Sequence, residues 1–147
     1  MQINKVEDSI KNLIDVFFDA GKISLELRNK GLIEHIKKDN TPVTNGDIEV
    51  NKIILSSLKK ITPDIPIVSE ETSENKNLNL ETFWLVDPID GTYDYINNRD
   101  EFTLNAGLII NKEAVAGIIY APAKDRMFYS YGKNLSYELK NGKEEII

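Results

Sequence analysis

The sequence predicts an α+β fold in which two N-terminal helices pack on a mostly antiparallel sheet. Apolar residues recur at three- and four-residue steps in the N-terminal part of the chain, which is typical of helices with one buried face. After residue 61 they fall in short runs separated by polar turns, which is typical of strands. The 147 residues, 41% of them hydrophobic, suit one domain with a core of its own.

The two helices have recognisable ends. The first is predicted over residues 4–28, and Gly31 is a plausible stop. The second is predicted over residues 45–60. Thr44 can cap this second helix, and Asp47, three residues later, can complete an analogue of a capping box.

Short strands are predicted where an apolar run is bounded by turn-forming residues. A weak alternation covers residues 33–38, and the polar, Asn-rich residues 72–80 are expected to form a loop. The Asn-Gly pair at residues 141–142 is a strong hairpin signal, so a further strand should start just after it. Short connections favour antiparallel pairing. The clearer strands are predicted at residues 65–69, 83–87, 103–110, 114–120, 126–131 and 135–140, with turns at 111–113, 121–125 and 132–134.

Charge and composition exclude several classes of function. The net charge of −6 argues against binding to nucleic-acid polymers, which usually requires a basic patch. The chain has no cysteine, and therefore no disulfide, thiolate metal site or cysteine nucleophile. No apolar run approaches 18 residues, so no transmembrane segment is expected, and the N-terminus lacks the features of a signal peptide. The expected location is cytoplasmic.

Residues 87–92, with the sequence Asp-Pro-Ile-Asp-Gly-Thr, carry the clearest chemical signal. Two carboxylates three residues apart follow an apolar run, and Mg²⁺ is usually bound through one or two carboxylates together with substrate phosphate. A helix starting at the Gly-Thr pair would direct unpaired N–H groups at an anion. Taken alone, the hexapeptide could equally be a turn, because Asp-Pro and Asp-Gly are common turn formers.

Two further acidic segments lie at the ends of predicted elements. Ser-Glu-Glu at residues 69–71 closes a strand, and residues 38–47 lead into the second helix. By itself Asp47 could be only a charge near a helix N-terminus, worth about 0.3–1 kcal/mol. Glu71 is expected behind the site or at the surface, and Lys38 either near the phosphate or in solvent.

Together the three segments resemble the inositol monophosphatase superfamily of metal-dependent phosphatases. The shared signatures are a Lys-x-x-x-Ser-Pro-Val-Thr-x-x-Asp-like segment, a Glu-Glu pair and Asp-Pro-Ile/Leu-Asp-Gly-Thr. Within the superfamily the chain looks most similar to the CysQ-type 3′(2′),5′-bisphosphate nucleotidases, through residues 62–71, 101–105 and 115–122. Tyr93 and Asp94 depart from the Lys-Glu pair that such proteins often have at these positions.

The resemblance implies a cofactor of two or three Mg²⁺ ions. The implied metal ligands are the carboxylates of Glu70, Asp87 and Asp90 and the carbonyl oxygen of Ile89. Asp87 would lie between two ions and bind both.

The resemblance also implies catalytic roles for Asp47, Glu70 and Thr92. The Thr92 hydroxyl, with Asp47 as its hydrogen-bond partner, would orient the attacking water. The N–H groups of Gly91 and Thr92 would bind the substrate phosphate. No covalent enzyme intermediate is implied.

The expected function is Mg²⁺-dependent hydrolysis of a phosphomonoester, with 3′-phosphoadenosine 5′-phosphate as the substrate. Two alternatives stay open: an inositol-1-monophosphatase-like sugar phosphatase, and a truncated, non-catalytic fragment that binds metal or a partner. A phosphatase of the haloacid dehalogenase type is disfavoured, since it uses Asp-x-Asp-Gly-Thr and the spacing here is one residue longer.

Residues 1–147 resemble the N-terminal half of the layered αβαβα sugar-phosphatase fold. The C-terminal half, which in the family normally supplies a further metal-binding Asp, is expected to be absent. A separately encoded C-terminal half is therefore a candidate partner, in addition to a small phosphorylated substrate such as a bisphosphonucleotide or an inositol phosphate.

Overall fold

Three α-helices and nine strands form within the residues that the computed structural model describes, which are 3–72, 74–76, 78–133 and 135–147. The helices are α1 (Ile3–Lys30), α2 (Asn45–Ile61) and α3 (Thr92–Ile96). The strands are β1 (Glu34–Ile36), β2 (Pro42–Thr44), β3 (Ile67–Ser69), β4 (Phe83–Asp90), β5 (Thr103–Ile110), β6 (Glu113–Ala121), β7 (Arg126–Ser130), β8 (Ser136–Lys140) and β9 (Lys143–Ile146).

The large sheet runs in the order β3-β4-β5-β6-β7-β8-β9. β3 and β4 are parallel, and each later neighbouring pair is antiparallel. The β8–β9 hairpin turns through Asn141 and Gly142, with φ of 52° and 75°. Positive φ at both central residues matches the twist of the flanking strands. The mostly antiparallel sheet and the Asn-Gly hairpin predicted from the sequence are both confirmed.

Alternate residues of the sheet are buried beneath α1 and α2. Trp84 of β4 is fully buried, and its indole N–H donates a hydrogen bond to Oγ1 of Thr62, 2.9 Å away at the end of α2. Burial of a large apolar side chain is worth about 1.5–3 kcal/mol, and this bond satisfies the one polar group that Trp84 brings into the core. Other fully buried side chains come from both helices and the sheet: Ile10, Leu13, Phe17, Ile54, Leu58, Leu104, Leu108, Ile118 and Met127.

The helix ends follow the signals in the sequence. α1 extends two residues beyond its predicted end, and Gly31 then adopts a φ of 96°. α2 starts as predicted, because both bonds of the capping box are present. Oγ1 of Thr44 accepts from the Asp47 N–H at 3.2 Å, and Oδ2 of Asp47 accepts from the Thr44 N–H at 2.9 Å.

The weak strand predicted at residues 33–38 is shorter than expected and has an unforeseen partner. β1 pairs with β2 as a separate antiparallel hairpin around Asn40, whose φ is 66°. The backbone N–H of Lys37 donates to the carbonyl of Thr41 at 2.8 Å and closes the turn. Pro42 is the first residue of β2.

β4 is longer than predicted and contains the acidic motif. The prediction ended the strand at Asp87, but pairing resumes at Asp90, which lies opposite Thr103. Pro88 has no N–H to donate, so the hydrogen-bond ladder is interrupted between the two acidic residues and the register shifts there. Asp87 and Asp90 therefore lie in the irregular end of a strand rather than beyond it.

Parts of two predicted connections lie outside the described residues. These are positions 73 and 77 of the loop predicted at 72–80, and position 134 of the turn predicted at 132–134. None of the helices among the described residues combines the length and apolar character that crossing a bilayer needs.

Tyr95 ties the short helix α3 to both long helices. Its side chain is fully buried, and its hydroxyl donates to the carbonyl of Ser24 on α1 at 2.6 Å. Its ring packs against Phe102, with ring centroids 4.8 Å apart. A Cβ at Gly46 of α2 would lie only 2.2 Å from the Tyr95 hydroxyl oxygen. The start of α2 therefore lies too close to Tyr95 for a side chain at position 46.

We predict that Gly46→Ala destabilises the chain. Alanine normally favours a helix over glycine by about 0.5–1 kcal/mol, but overpacking a filled site costs about 1–3 kcal/mol. The clash with Tyr95 should win, giving a net loss of about 1 kcal/mol in the free energy of unfolding measured with urea. Gly132→Ala is the control, because the nearest atom to a Cβ there is 3.7 Å away. Equal stability of the two variants would contradict the packing described.

Candidate metal and phosphate site

The parallel pairing of β3 and β4 brings two acidic segments to one edge of the sheet. Ser69 lies opposite Val86 in the register, and the backbone N–H of Glu70 donates to the carbonyl of Val86 at 3.0 Å. Glu70 and Asp87 are therefore the next residues along two adjacent strands that run in the same direction. Ligands commonly bind outside the carboxyl ends of parallel strands, and this edge is the candidate site.

Burial and the negative charges of neighbouring carboxylates act on the carboxyl group of Asp87. Burial, followed by the negative charges of Asp90, Glu70, Glu71 and Asp47, raises the pKa of Asp87 to about 6. Its Oδ1 is buried and has no hydrogen-bond partner among the described residues. A buried acceptor without a partner is costly. A divalent cation would satisfy this oxygen and offset the repulsion, so the donor set fits Mg²⁺, which takes oxygen ligands.

The acidic side chains at this edge of the sheet do not point toward a common centre in this structure. Within the described part of the chain, no three acidic or histidine side chains are arranged to hold a single ion. The Glu70 side chain is 59% exposed, with Oε1 lying 3.9 Å from Nζ of Lys37, and Asp90 is exposed as well. The backbone places the predicted ligands side by side, and binding a shared cation would require their exposed side chains to rotate inward.

The Gly-Thr pair starts a helix, as the motif suggested. Gly91 is the N-cap of α3 and has a φ of 85°, a conformation that favours glycine. A Cβ at this position would also lie 2.7 Å from the carbonyl oxygen of Glu101. The first N–H groups of a helix have no partner within it, so those of Gly91 and Thr92 are suited to an anion. Their binding of phosphate stays a prediction.

A hydrogen bond joins Thr92 to Asp47 across the fold. Oγ1 of Thr92 lies 3.0 Å from Oδ1 of Asp47 and 3.2 Å from the carbonyl oxygen of Ile89. Asp47 is fully buried, and its Oδ2 accepts from the N–H and the hydroxyl of Thr44, at 2.9 and 2.5 Å. The same carboxylate thus serves as helix cap and as partner of Thr92, and the two roles considered for Asp47 are compatible.

Residues 5–143 match the sequence profile of the Inositol monophosphatase family. The chain belongs to this family. The resemblance inferred from the three acidic segments is thereby confirmed.

Two relatives named 3′(2′),5′-bisphosphate nucleotidase CysQ match the chain closely. The protein from Buchnera aphidicola is 39% identical over 132 residues, which cover 87% of this chain and 50% of the relative. The protein from Salmonella typhimurium is 42% identical over 96 residues, covering 64% of this chain and 39% of the relative. The chain therefore spans about half, or less, of the length of these curated relatives.

Solved structures of family members share the fold. CysQ from Bacteroides thetaiotaomicron superposes with a TM-score of 0.72 at 27% identity, covering 92% of this chain and 49% of that one. The suhB protein from Bartonella henselae superposes with a TM-score of 0.79 at 24% identity, covering 88% and 51%. The predicted α+β fold class is confirmed.

The lysine of the family motif that lies at the site is Lys37. Its Nζ lies 3.6 Å from Oε2 of Glu71 and 3.9 Å from Oε1 of Glu70, whereas Lys38 is exposed. Counting the motif Lys-x-x-x-Ser-Pro back from Thr41 gives position 37, a signal that the sequence analysis missed. The exposure of Lys38 agrees with the solvated position considered for it, and a place near the phosphate stays untested. Glu71 lies behind the site, since only 6% of its side chain is exposed and burial raises its pKa.

We predict that Asp87→Asn stabilises the chain in a metal-free buffer at pH 7. The carboxyl ionises near pH 3.8 without the fold and near pH 6 within it. The folded state then binds the proton more tightly, so stability falls as the pH rises from 4 to 6. Removing the charge should recover at most about 1 kcal/mol, because Asp87 is only partly buried and water screens its charge.

Thermal midpoints measured in chelator at pH 4 and pH 7.5 test this. Asp64→Asn, at an exposed position, is the control. The gain should appear only at pH 7.5 and only in Asp87→Asn. A gain of the same size at both pH values would show that the charge of Asp87 is not its cause.

Proposed function

We propose that this chain supplies metal- and phosphate-binding residues of a Mg²⁺-dependent phosphomonoester hydrolase acting on a 3′(2′),5′-bisphosphate nucleotide such as 3′-phosphoadenosine 5′-phosphate. The supporting observation is the Thr92–Asp47 hydrogen bond beside the carboxylates at the β3–β4 edge. The substrate class rests on the name of the relatives at 39–42% identity. The cytoplasmic location stays a prediction.

Four groups of the chain would hold Mg²⁺. They are the carboxylates of Glu70, Asp87 and Asp90 and the carbonyl oxygen of Ile89, with Asp87 central because its buried oxygen has no partner among the described residues. When bound, divalent ions neutralise phosphate charge and make water a better nucleophile at neutral pH. Two or three ions are expected from the family.

Thr92 would orient the attacking water. Its hydroxyl, whose oxygen lies 3.0 Å from Oδ1 of Asp47, would donate to that carboxylate and accept a hydrogen bond from the water through its oxygen. Asp47 cannot turn away, because Thr44 holds its other oxygen with two hydrogen bonds. Glu70, at the open edge, would complete the catalytic set. The N–H groups of Gly91 and Thr92 would stabilise negative charge on the phosphate, as fixed donors do in a transition state.

The two alternative functions make different demands on the same chain. An inositol-1-monophosphatase-like enzyme would share the metal site and differ in substrate. A non-catalytic fragment would bind metal or a partner and turn over neither substrate. Sequence identity to the nucleotidases favours the first proposal, and an assay separates all three.

We predict that phosphate is released from 3′-phosphoadenosine 5′-phosphate in preference to inositol 1-phosphate, and that the reaction depends on Mg²⁺. The assay contains this chain together with a polypeptide that corresponds to the remaining part of a CysQ relative. Asp90→Asn keeps the shape of the side chain and removes a charge that would hold the ion. Its activity should fall by more than the roughly 10–100-fold that follows loss of an outer partner of a metal ligand. Exposed Asp64→Asn should match the unaltered chain. Full activity of Asp90→Asn, or activity in chelator, would refute the proposal.

The sheet face opposite the core is a candidate surface for that additional polypeptide. Leu85 and Ile119 point away from the buried face and are 52% and 45% exposed. A groove of about 480 Å³ runs over them, with Phe128 and the small residues Gly107 and Gly117 in its wall. Exposed apolar surface of this kind usually marks an interface. We infer that a C-terminal half, encoded with this chain or separately, covers this face.

Ile119→Ser should therefore block restoration of activity by the C-terminal half without unfolding the chain, because the side chain is already half exposed. Ile33→Ser, at a position that is 61% exposed and does not line this groove, is the matched control and should leave restoration intact. Association is measured by co-purification and by phosphate release. Loss of association in both variants, or in neither, would argue against this face.

A further inference from the structure

Helix α2 contacts both acidic segments of the site through residues one turn apart. Asp47 binds Thr92 beside the end of β4, and Asn51 binds Ser69 at the end of β3. Residues four apart lie on the same face of a helix. One face of α2 therefore reaches the segment that carries Asp90 and the segment that carries Glu70.

The Asn51–Ser69 contact continues into the backbone of the acidic turn. Asn51 is 5% exposed and Ser69 is fully buried. The Ser69 hydroxyl donates to Oδ1 of Asn51, and its oxygen accepts from the Glu71 N–H at 3.4 Å. The Glu70 N–H is held separately by the carbonyl of Val86 at 3.0 Å. The two N–H groups of the Glu-Glu pair are thus fixed from the helix side and from the strand side.

We propose that Asn51 is a positioning residue for the cation site, acting through Ser69 to hold the Glu70–Glu71 turn. The inference rests on the proposed function, in which Glu70 is a metal ligand. Asn51 would not touch the ion. Partners that orient metal ligands commonly contribute 10–100-fold to metal affinity. The Glu70 side chain is 59% exposed, so its placement depends on the backbone that carries it.

The presence of a polar side chain at the buried position 51 favours a positioning role over core packing alone. Asn51 occupies a helix interior between the buried Val50 and Ile54, where an apolar side chain would bury more apolar surface and fit the helix better. The net contribution of a buried hydrogen bond to the stability of the fold is only about 0.5–1.5 kcal/mol. The Thr62–Trp84 bond at the other end of α2 is a similar buried polar contact that lies away from the acidic edge.

Three variants test the proposal. Asn51→Leu removes the acceptor and keeps the volume, Asn51→Asp keeps an acceptor for Ser69, and Thr62→Val removes the buried contact at the far end of α2. We expect Asn51→Leu to weaken Mg²⁺ binding about 10-fold or more in calorimetry. Asn51→Asp should retain the affinity. Thr62→Val should lower the thermal midpoint and leave the affinity unchanged.

A metal-free measurement separates this inference from the proposed function. Amide hydrogen exchange of Glu71, measured in chelator, should be faster in Asn51→Leu than in the unaltered chain and unchanged in Thr62→Val. If Asn51→Leu does not fold, Ser69→Ala, which loses both bonds, takes its place. Failure of the unaltered chain to bind Mg²⁺ would overturn the proposed function. Unchanged Glu71 exchange in Asn51→Leu, or an equal loss of Mg²⁺ affinity in Thr62→Val, would overturn the positioning role.

Discussion

The parallel pairing of β3 with β4 is the constraint on which the candidate site depends. Parallel neighbours end at the same edge of a sheet, so Glu70 emerges beside Asp87. An antiparallel arrangement of the same two strands would place these carboxylates at opposite ends. The β4 ladder then breaks at Pro88, and the following residues lead through Asp90 and Gly91 into α3 without leaving that edge.

The clustering of carboxylates at this edge destabilises the fold, and contacts elsewhere in the chain offset this effect. Several carboxylates at one edge repel each other, and burial of Asp87 together with these charges raises its pKa to about 6. Lys37 offsets part of this charge through Glu70 and Glu71. The packing of α1 and α2 on the sheet, which buries Trp84 completely, stabilises the fold against the remaining repulsion. Conflicts between local stability and arrangement are expected where a site serves function.

Local signals in the sequence were sufficient for much of the fold. The Thr44–Asp47 capping box, the Asn-Gly turn and the alternation of the meander each involve residues close in the chain, and all appear as predicted. Contacts between distant segments were not predictable in this way. The approach of Lys37 to Glu71 and the contact between Asn51 and Ser69 depend on how elements pack, which periodicity does not encode.

Paramagnetic broadening by Mn²⁺ shows directly whether the acidic residues of the β3–β4 edge form one divalent cation site. Mn²⁺ accepts the same oxygen ligands as Mg²⁺. Titrated into the isotope-labelled chain, Mn²⁺ should first broaden the amide signals of residues 70–71, 87 and 89–92 and that of Asp47, and an excess of Mg²⁺ should restore them. Signals of residues 113–116, at the far end of the sheet, should persist. Broadening that starts elsewhere, or that spreads uniformly over the acidic surface, would contradict the account.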